Sequence, residues 1–378
     1  MKDKIFVTRP LIPPLSEFTP YLEKIWSNQI LTNSGPFHDM LESELANYLG
    51  VKYVSLFNNG TLALLTALQA LKVTGEVITT PYSFVATSHS LLWNGLTPVF
   101  VDIDPNSCNI DVNKIENAIT PATSAILPVH CYGIPCDVEG IQRVADNYGV
   151  KVIYDAAHAF GVKIDNQSIL NYGDLSILSF HATKVFNTIE GGAIISHDLK
   201  TKKRIDHLKN FGFVDETTVV AAGINSKMNE VQAAFGLLQL KYIDNALELR
   251  KKLYERYVLL LSKLPTVKVI KDINNFEWNY AYFPVFFEIK TPSLRDFVYE
   301  EMKKSDIFTR RYFFPLISSF PMYRGLNSAN ENNLPVATRV SHQVLCLPMY
   351  ADLSYDEQDG IIEALLNAMS KYQDLEEA

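Results

Sequence analysis

The chain has 378 residues, of which 47% are apolar and 20% are charged, so it can bury a large core and long disordered segments are not expected. Its net charge of −8 argues against a protein whose main partner is nucleic acid. The four cysteines match no zinc-binding spacing and are too few for a disulfide framework, so we expect reduced thiols and no metal site.

The N-terminal residues predict an extended, Pro-rich arm followed by a helix at Ser16–Trp26. They lack the apolar run of a signal peptide, and the chain has no stretch of about 18 apolar residues, so we expect a cytoplasmic protein without a membrane span. A turn-rich loop at Leu31–Pro36 precedes a second helix at 37–49. That helix ends at Gly50, because glycine is common directly after a helix.

Short apolar segments alternate with helical ones from Lys52 onward, which is typical of an α/β domain whose parallel sheet is covered by helices on both faces. Helices predicted at Thr61–Leu71 and Asp137–Tyr148 serve as crossovers between strands. The predicted strands are Tyr53–Phe57, Glu76–Thr79, Val99–Asp102, Ala125–Val129, Lys151–Tyr154, Ser176–Phe180 and Gly192–Ser196.

The C-terminal part of the chain begins with a long periodic segment at Asn229–Leu261, which predicts one continuous helix. An aromatic-rich segment at Trp278–Glu288 predicts a pair of strands, and helices are predicted at Ser293–Lys304 and Tyr355–Lys371. We therefore expect a large domain at residues 1–245, including the N-terminal arm, and a smaller C-terminal domain at residues 246–378.

The segment Phe57–Thr61 joins a predicted strand to a helix and is the first candidate binding site. The N-terminus of a helix presents free N–H groups and partial positive charge, Gly60 lets an anion approach the backbone, and Thr61 adds a hydroxyl. An ordinary turn in which Thr61 caps the helix explains the same residues. The segment is not a P-loop, because no Gly-Lys-Ser/Thr follows.

Two further candidates, Asp155 and Lys184, follow strands of the same predicted sheet, where ligands bind in α/β folds. Taken separately, Asp155 is explained as a helix cap or turn residue and Lys184 as a solvated lysine. Together with Gly60 and Thr61, they match the three contacts of pyridoxal 5′-phosphate (PLP), which are a phosphate cradle, a partner for the pyridinium nitrogen and a lysine that reacts with its aldehyde.

Several motifs occur in a fixed order over nearly the whole chain: Asn59–Thr61, Pro81–Thr87, Tyr154–Gly161, Ser179–Lys184, Glu190–Gly192, Gly223–Glu230 and Leu347–Tyr350. In this combination the chain resembles the DegT/DnrJ/EryC1/StrS family of sugar aminotransferases. The resemblance implies fold type I of the PLP-dependent aminotransferases, like that of aspartate aminotransferase. Such a fold has a large domain with a central, mostly parallel seven-stranded sheet and a smaller α+β C-terminal domain.

The resemblance also implies how individual residues bind the cofactor. Lys184 matches the lysine that binds PLP covalently and moves the substrate proton, and Asp155 matches the partner of the pyridine nitrogen. His158 stands where many members have Gln, near the phenolic oxygen of PLP. Phe84 matches the aromatic residue that stacks on the ring, although a core phenylalanine is the ordinary alternative. The implied phosphate contacts are Gly60, Thr61, Ser179 and, from the neighbouring subunit of a homodimer, Asn225.

A nucleotide sugar and L-glutamate are the substrates that the resemblance implies. Lys227 is placed to meet the diphosphate, and Arg310 and Tyr312 lie in a segment that resembles the family's sugar-nucleotide pocket. A solvated charge and an exposed basic turn are the alternatives for Lys227 and Arg310. The remaining candidate substrate contacts are Asn33, Ser34, His181 and Asn187.

Within the family, the chain looks most like the viosamine-type branch, which converts a dTDP-4-keto-6-deoxyglucose to dTDP-4-amino-4,6-dideoxyglucose for surface polysaccharide such as O-antigen. A 3-aminotransferase acting on a dTDP-3-keto sugar is the alternative, because motifs near the lysine do not fix the sugar carbon. Lys184 argues against the dehydratase branch, in which histidine replaces the lysine.

Two alternatives belong to other classes of protein. A regulatory or binding protein with a PLP fold is disfavoured by the intact set of Lys184, Asp155 and the phosphate turn. A dinucleotide-binding enzyme is disfavoured because no Gly-x-Gly-x-x-Gly follows the first strands.

Overall fold

The computed structural model describes residues 4–270, 276–288 and 293–377, and the first three residues of the predicted N-terminal arm lie outside these ranges. Its strands are β1 (Ile5–Phe6), β2 (Tyr53–Phe57), β3 (Glu76–Thr79), β4 (Thr97–Phe100), β5 (Thr123–Leu127), β6 (Lys151–Asp155), β7 (Lys163–Ile164), β8 (Gln167–Ser168), β9 (Leu175–Ser179), β10 (Gly192–Ser196), β11 (Val267–Val269), β12 (Phe276–Glu277), β13 (Phe283–Phe287), β14 (Ile307–Phe308) and β15 (Val344–Leu347). Its α-helices are α1 (Leu15–Asn28), α2 (Pro36–Leu49), α3 (Gly60–Ala70), α4 (Ala86–Trp93), α5 (Val112–Ile115), α6 (Val138–Tyr148), α7 (Leu199–Leu208), α8 (Glu230–Leu240), α9 (Ile243–Leu261), α10 (Ser293–Lys304), α11 (Pro335–Gln343) and α12 (Tyr355–Glu377).

Seven strands form the central sheet, in the order β2-β10-β9-β6-β5-β3-β4. Strand β10 is antiparallel to its neighbours β2 and β9, and the other neighbouring pairs are parallel. The mostly parallel seven-stranded sheet predicted from the sequence is therefore confirmed. Its inner strands are apolar along both faces because helices cover the sheet on both sides, as the buried residues of β6, β9 and β10 indicate.

The strand directions bring the candidate residues to one edge of the sheet. Because β10 alone runs in the opposite direction, the carboxyl ends of the other strands lie at a common edge. Strand β2 ends at Phe57, directly before the glycine turn, β6 ends at Asp155, and β9 ends at Ser179, five residues before Lys184. This edge is the position at which α/β folds bind ligands.

The prediction of one continuous helix at Asn229–Leu261 is wrong, because α8 ends at Leu240 and α9 begins at Ile243. Between them, the N–H groups of Lys241 and Tyr242 donate to carbonyls three residues back, which tightens and ends the first helix. Helix α8 packs against α1 and α2, whereas α9 contributes to a second apolar cluster in the C-terminal half. The apolar period continues across the break because each helix buries one face.

The prediction of a strand pair at Trp278–Glu288 is also wrong. Strand β12 pairs with β7 of the N-terminal half, whereas β13 lies between β11 and β15 in a separate sheet. The intervening residues are fixed by side chains rather than by a ladder, since Nδ2 of Asn279 donates to the carbonyls of His158 and Phe160 at 2.7 and 3.0 Å. None of the helices that the structure describes is long and apolar enough to cross a membrane.

Glu230, at the start of α8, binds the N-terminus of α2. Its side chain is buried, and its two carboxylate oxygens accept hydrogen bonds from the backbone N–H groups of Phe37 and His38 at 2.9 and 2.8 Å. The N–H of Glu230 donates to the carbonyl of Leu31 at 2.9 Å. One residue thus satisfies two free donors of a helix and fixes the loop before it.

We expect Glu230→Ala to lower the free energy of unfolding by about 2 kcal/mol, because two buried N–H groups lose their acceptor. The midpoint of urea denaturation at a fixed chain concentration measures the effect. Glu248→Ala is the control, since Glu248 is an exposed residue of α9 that pairs with Lys252, and it should leave the midpoint unchanged. An unchanged midpoint for Glu230→Ala would refute this role of Glu230.

Candidate active site

A cavity of about 280 Å³ opens at the carboxyl edge of the central sheet. Its wall contains residues from the turn after β2, the loop after β3, the end of β6 and the loop after β9, joined by aromatic residues of the C-terminal half. The predicted site residues that line it are Gly60, Thr61, Phe84, Asp155, His158, Ser179, His181, Lys184 and Tyr312.

Lys184 presents a partly buried amine to this cavity. Enclosure by the protein lowers the pKa of Lys184 to about 8, and the negative charge of Asp155 opposes part of this effect. A lysine with a lowered pKa has more of the neutral amine near pH 7, which is the form that attacks an aldehyde or accepts a proton. Nζ of Lys184 also lies 3.3 Å from the hydroxyl of Tyr282.

Asp155 is buried at the end of β6 and receives hydrogen bonds on both carboxylate oxygens. The hydroxyl of Thr87 donates to Oδ2 at 2.7 Å, and the N–H of Ala157 donates to Oδ1 at 3.2 Å. Burial raises the pKa of Asp155, whereas these two hydrogen bonds and the charge of Lys184 act in the opposite direction. The geometry suits a carboxylate that faces a cationic nitrogen of a bound ligand.

The turn at Gly60 brings the N-terminus of α3 against the end of β9. The side chain of Asn59 caps the helix by accepting a hydrogen bond from the N–H of Leu62 at 2.8 Å. A Cβ atom at position 60 would lie 3.0 Å from Cβ of Ser179, so this close approach favours glycine. The cavity therefore contains the positive end of a helix together with the hydroxyls of Thr61 and Ser179, which are suitable donors for a phosphate.

His158 is buried beside the amine of Lys184. Burial lowers the pKa of His158 well below its ordinary value, so the imidazole is neutral near pH 7. Its Nδ1 accepts a hydrogen bond from the N–H of Tyr132 at 3.2 Å, which leaves the proton on Nε2. His158 can thus donate one hydrogen bond to an oxygen of a bound ligand.

Phe84 remains a large exposed aromatic residue at the wall of the cavity, with 59% of its surface accessible. An aromatic side chain in this position is free to stack on a planar ring. On another side of the cavity, the ring of Tyr282 lies 4.8 Å from that of His158 and 5.7 Å from that of Tyr312. The cavity thus combines flat aromatic surfaces with a small number of polar groups.

Six of the predicted contacts are not in the wall of the Lys184 cavity, and four of these six lie close to one another. Asn33, Ser34 and Lys227 line a different cavity of about 290 Å³. The amine of Lys227 donates to Oδ1 of Asn225 at 3.0 Å, which places Asn225 beside the same group. Within one chain, these residues are therefore not part of the wall of the Lys184 cavity.

Two predicted substrate contacts from the loops are also not at the cavity wall. Asn187 is buried, and its Oδ1 accepts a hydrogen bond from the N–H of Ile189 at 3.2 Å. Arg310 is exposed, and its backbone pairs with that of Cys346. Tyr312, two residues later, does line the cavity.

Sequence reasoning did not single out Thr87 or Tyr282 as functional residues. Thr87 ends the motif Pro81–Thr87, and its membership in that motif is the signal that could have pointed to its contact with Asp155. Tyr282 belongs to an aromatic-rich segment far along the chain, and no local pattern distinguishes it from its aromatic neighbours.

The residues of this cavity fit the three contacts of PLP. Asp155 supplies a buried anion for the ring nitrogen, the turn at Gly60 supplies phosphate donors, and Lys184 supplies an amine with a lowered pKa of about 8. His158 and Phe84 add a hydrogen-bond donor and a stacking surface of suitable kind.

Comparison with known proteins agrees with the geometry of the site. A model of the DegT/DnrJ/EryC1/StrS aminotransferase family matches residues 15–366. The chain is 57% identical over 373 residues to the dTDP-4-amino-4,6-dideoxy-D-glucose transaminase of Escherichia coli, covering 98% of this chain and 100% of that protein. It is 53% identical to the protein of the same name from Shigella dysenteriae, covering 97% of this chain and 99% of that one.

A solved structure of DesI in the presence of its TDP-sugar product is similar over the full length, with a TM-score of 0.94 at 34% identity and coverage of 100% of this chain and 96% of that chain. The predicted fold of the PLP-dependent aminotransferases is thereby confirmed. The family is PLP-dependent, and the relatives named above are transaminases. With a matching family model, close relatives and a cavity that fits the cofactor, the chain belongs to the DegT/DnrJ/EryC1/StrS aminotransferase family.

Proposed function

We propose that this chain transfers an amino group from L-glutamate to dTDP-4-keto-6-deoxy-D-glucose and so forms dTDP-4-amino-4,6-dideoxy-D-glucose for surface polysaccharide such as O-antigen. The observation on which the chemistry rests is the cavity that contains Lys184, Asp155 and the turn at Gly60. The choice of sugar is supported by the 57% identity to the Escherichia coli transaminase over nearly the whole chain.

In this proposal, each side chain of the cavity has a separate task. Bound PLP supplies an electron sink for the bond that breaks beside the substrate nitrogen. Asp155 would hold the proton on the ring nitrogen, and the N–H groups at the start of α3 would bind the phosphate together with the hydroxyls of Thr61 and Ser179. His158 would donate a hydrogen bond from Nε2 to the phenolic oxygen, and Phe84 would stack on the ring.

Lys184 has two tasks in succession. Its amine would hold the cofactor covalently and would be free once the amino donor is bound. The free Nζ would take the α-proton of L-glutamate, and in the second half-reaction it would deliver a proton to the sugar carbon that receives the amine. The lowered pKa of Lys184, about 8, supports this role because more of the amine is in the neutral form, which can accept a proton, near pH 7 than at the ordinary pKa of lysine.

We also propose a homodimer in which Asn225 and Lys227 of one chain reach the cavity of the other. Their separation from Lys184 within one chain supports the proposal, since residues expected in one site line two cavities. Asn33 and Ser34, beside Lys227 in the second cavity, are then substrate contacts, while His181 and Tyr312 contact the sugar nucleotide from the cavity of Lys184. Arg310 and Asn187 are the remaining proposed substrate contacts, and we place them near the cavity of Lys184.

The division into domains 1–245 and 246–378 is part of the proposal. One apolar cluster extends over residues 25–243 and another over residues 253–369, which supports a boundary between them. Four buried cysteines without a disulfide are in keeping with a reducing compartment such as the cytoplasm.

The test is a reaction with ¹⁵N-labelled L-glutamate and dTDP-4-keto-6-deoxy-D-glucose, followed by NMR of the nucleotide-sugar product. We expect the label on C4. Label on C3 after reaction with a dTDP-3-keto-6-deoxyhexose, with none on the 4-keto substrate, would favour the 3-aminotransferase instead. Absence of the label from both sugars would rule out amino transfer to these substrates and would favour a regulatory protein.

A further inference from the structure

Tyr282 lies next to the reacting amine although it comes from the C-terminal half of the chain. Its hydroxyl oxygen is 3.3 Å from Nζ of Lys184, and Nζ lies 5.9 Å from the centre of its ring. The residue lines the same cavity as Asp155 and His158. Tyr282 therefore contacts the group that accepts the substrate proton in the proposed reaction.

Two side chains, those of Asn279 and Arg250, hold the residues directly before Tyr282 in place. Asn279 binds the loop after β6 through the carbonyls of His158 and Phe160, and its Oδ1 accepts a hydrogen bond from the N–H of Ala281 at 3.2 Å. The buried guanidinium of Arg250 donates to the carbonyls of Tyr280, Ala281 and Met349 at 3.4, 3.4 and 3.2 Å. The segment before Tyr282 is thus attached to the loop that follows Asp155.

The hydroxyl of Tyr282 acts as an acceptor toward Lys184. Burial raises the pKa of Tyr282 above its ordinary value, so the phenol keeps its own proton across the physiological range. Its oxygen lone pairs are then available to an N–H of Lys184. A protonated amine needs such acceptors more than a neutral one does, because a hydrogen bond from a charged donor is stronger.

We propose that Tyr282 is a further catalytic residue of this enzyme, whose hydroxyl accepts a hydrogen bond from Lys184 while Lys184 carries the proton taken from the substrate carbon. In that step the C–H bond of the substrate breaks, its electron pair remains with the substrate and cofactor, and the lone pair of Nζ forms the new N–H bond. Tyr282 neither gains nor loses a proton. The inference rests on the proposed function and adds a residue to it.

The charges around Lys184 determine whether its pKa rises or falls when the hydroxyl of Tyr282 is removed. Asp155 is the nearby anion, while His158 and Tyr282 are neutral near pH 7. Removing the hydroxyl of Tyr282 takes away an acceptor from the charged form of Lys184. The pKa of Lys184 should therefore fall further below about 8.

Tyr282→Phe tests the proposal, with Tyr280→Phe as the matched control. Tyr280 lies on the same segment, and its ring packs against Trp278 and Tyr254, away from Lys184. The first measurement uses the full-length protein loaded with pyridoxamine 5′-phosphate, in which the Lys184 amine is free. Competitive labelling with acetic anhydride at a series of pH values, read by peptide mass spectrometry, gives the pKa of that amine. The second measurement is the single-turnover rate of the PLP-loaded protein with L-glutamate.

For Tyr282→Phe we expect the pKa of Lys184 to fall by about one unit and the single-turnover rate to fall about tenfold. Tyr280→Phe should match the wild type in both measurements. An unchanged Lys184 pKa in Tyr282→Phe, or an equal loss of rate in both variants, overturns the proposal. Because neither measurement contains a sugar, failure of the sugar assignment leaves this result unaffected, and the two proposals can be distinguished.

Discussion

Lys184→Ala should lower the rate of amino transfer by about 10³-fold or more, because the variant loses both the covalent attachment of the cofactor and the base that moves the proton. Lys184→Arg should lose as much, since its guanidinium stays charged and cannot accept a proton. Steady-state release of 2-oxoglutarate from L-glutamate, in the presence of the keto sugar, measures the loss.

Measuring how well Lys184→Ala retains PLP shows whether the variant has lost the base alone or the whole cofactor site. The phosphate turn at Gly60 and the carboxylate of Asp155 remain, so the variant should still bind PLP noncovalently and lose it more readily on dialysis. Lys163→Ala is a suitable control, because Lys163 is a partly exposed residue that pairs with Glu277 and does not line the cavity. Turnover by Lys184→Ala within about tenfold of the wild type would be incompatible with the role of Lys184 as the base.

Asp155→Asn should have the second-largest effect, a loss of about 10²- to 10³-fold in both half-reactions. The amide keeps the size of the side chain and removes the charge that holds the proton on the ring nitrogen. Without that charge, the cofactor stabilises the electrons of the broken bond less well. The rates of the two half-reactions, measured separately by rapid mixing, test this expectation.

Two further variants accompany Asp155→Asn: one is a control, and the other changes the ionisation of Asp155. Asp146→Asn, at an exposed site on α6, should behave like the wild type.

Thr87→Val removes the hydroxyl that binds Asp155 and should shift the acid limb of the pH–rate profile to higher pH. The direction follows because this hydrogen bond lowers the pKa of Asp155, and without it the carboxylate becomes protonated at a higher pH. A pH profile for Thr87→Val that coincides with the wild type would indicate that the bond is unimportant for the ionisation of Asp155.

The sequence predicted the central sheet and the part of the site that lies on it, for a physical reason. Apolar strands that alternate with helices fix a parallel sheet, and parallel strands bring their carboxyl ends together. Gly60, Asp155 and Lys184 all follow such ends, so their assembly in one cavity could be foreseen from the order of elements. The resemblance to a family then assigned a role to each.

Tyr282 could not be found in this way. It follows no strand end, and its place depends on contacts of Asn279 and Arg250 with carbonyls that are distant in sequence. The break between α8 and α9 was missed for a related reason. Both helices have an apolar face, and only the change of packing partner distinguishes them from one continuous helix.

The residues of the second cavity show another limit of prediction from sequence, which concerns sites shared between two chains. The motifs place Asn225 and Lys227 in the same reaction as Lys184, but within one chain Lys227, with Asn225 beside it, lines a different cavity. Sequence motifs report which residues serve one site and do not report which copy of the chain supplies each. The proposed homodimer accounts for both observations.

The central claim is that the cavity of Lys184 and Asp155 carries out amino transfer with PLP. The most direct measurement mixes the PLP-loaded protein with L-glutamate in the absence of any sugar and follows the visible absorption of the cofactor together with 2-oxoglutarate. We expect the absorption of the aldehyde form to disappear as one 2-oxoglutarate per chain is released, and to return when dTDP-4-keto-6-deoxy-D-glucose is added. Unchanged absorption with no release of 2-oxoglutarate would contradict amino transfer by this cavity.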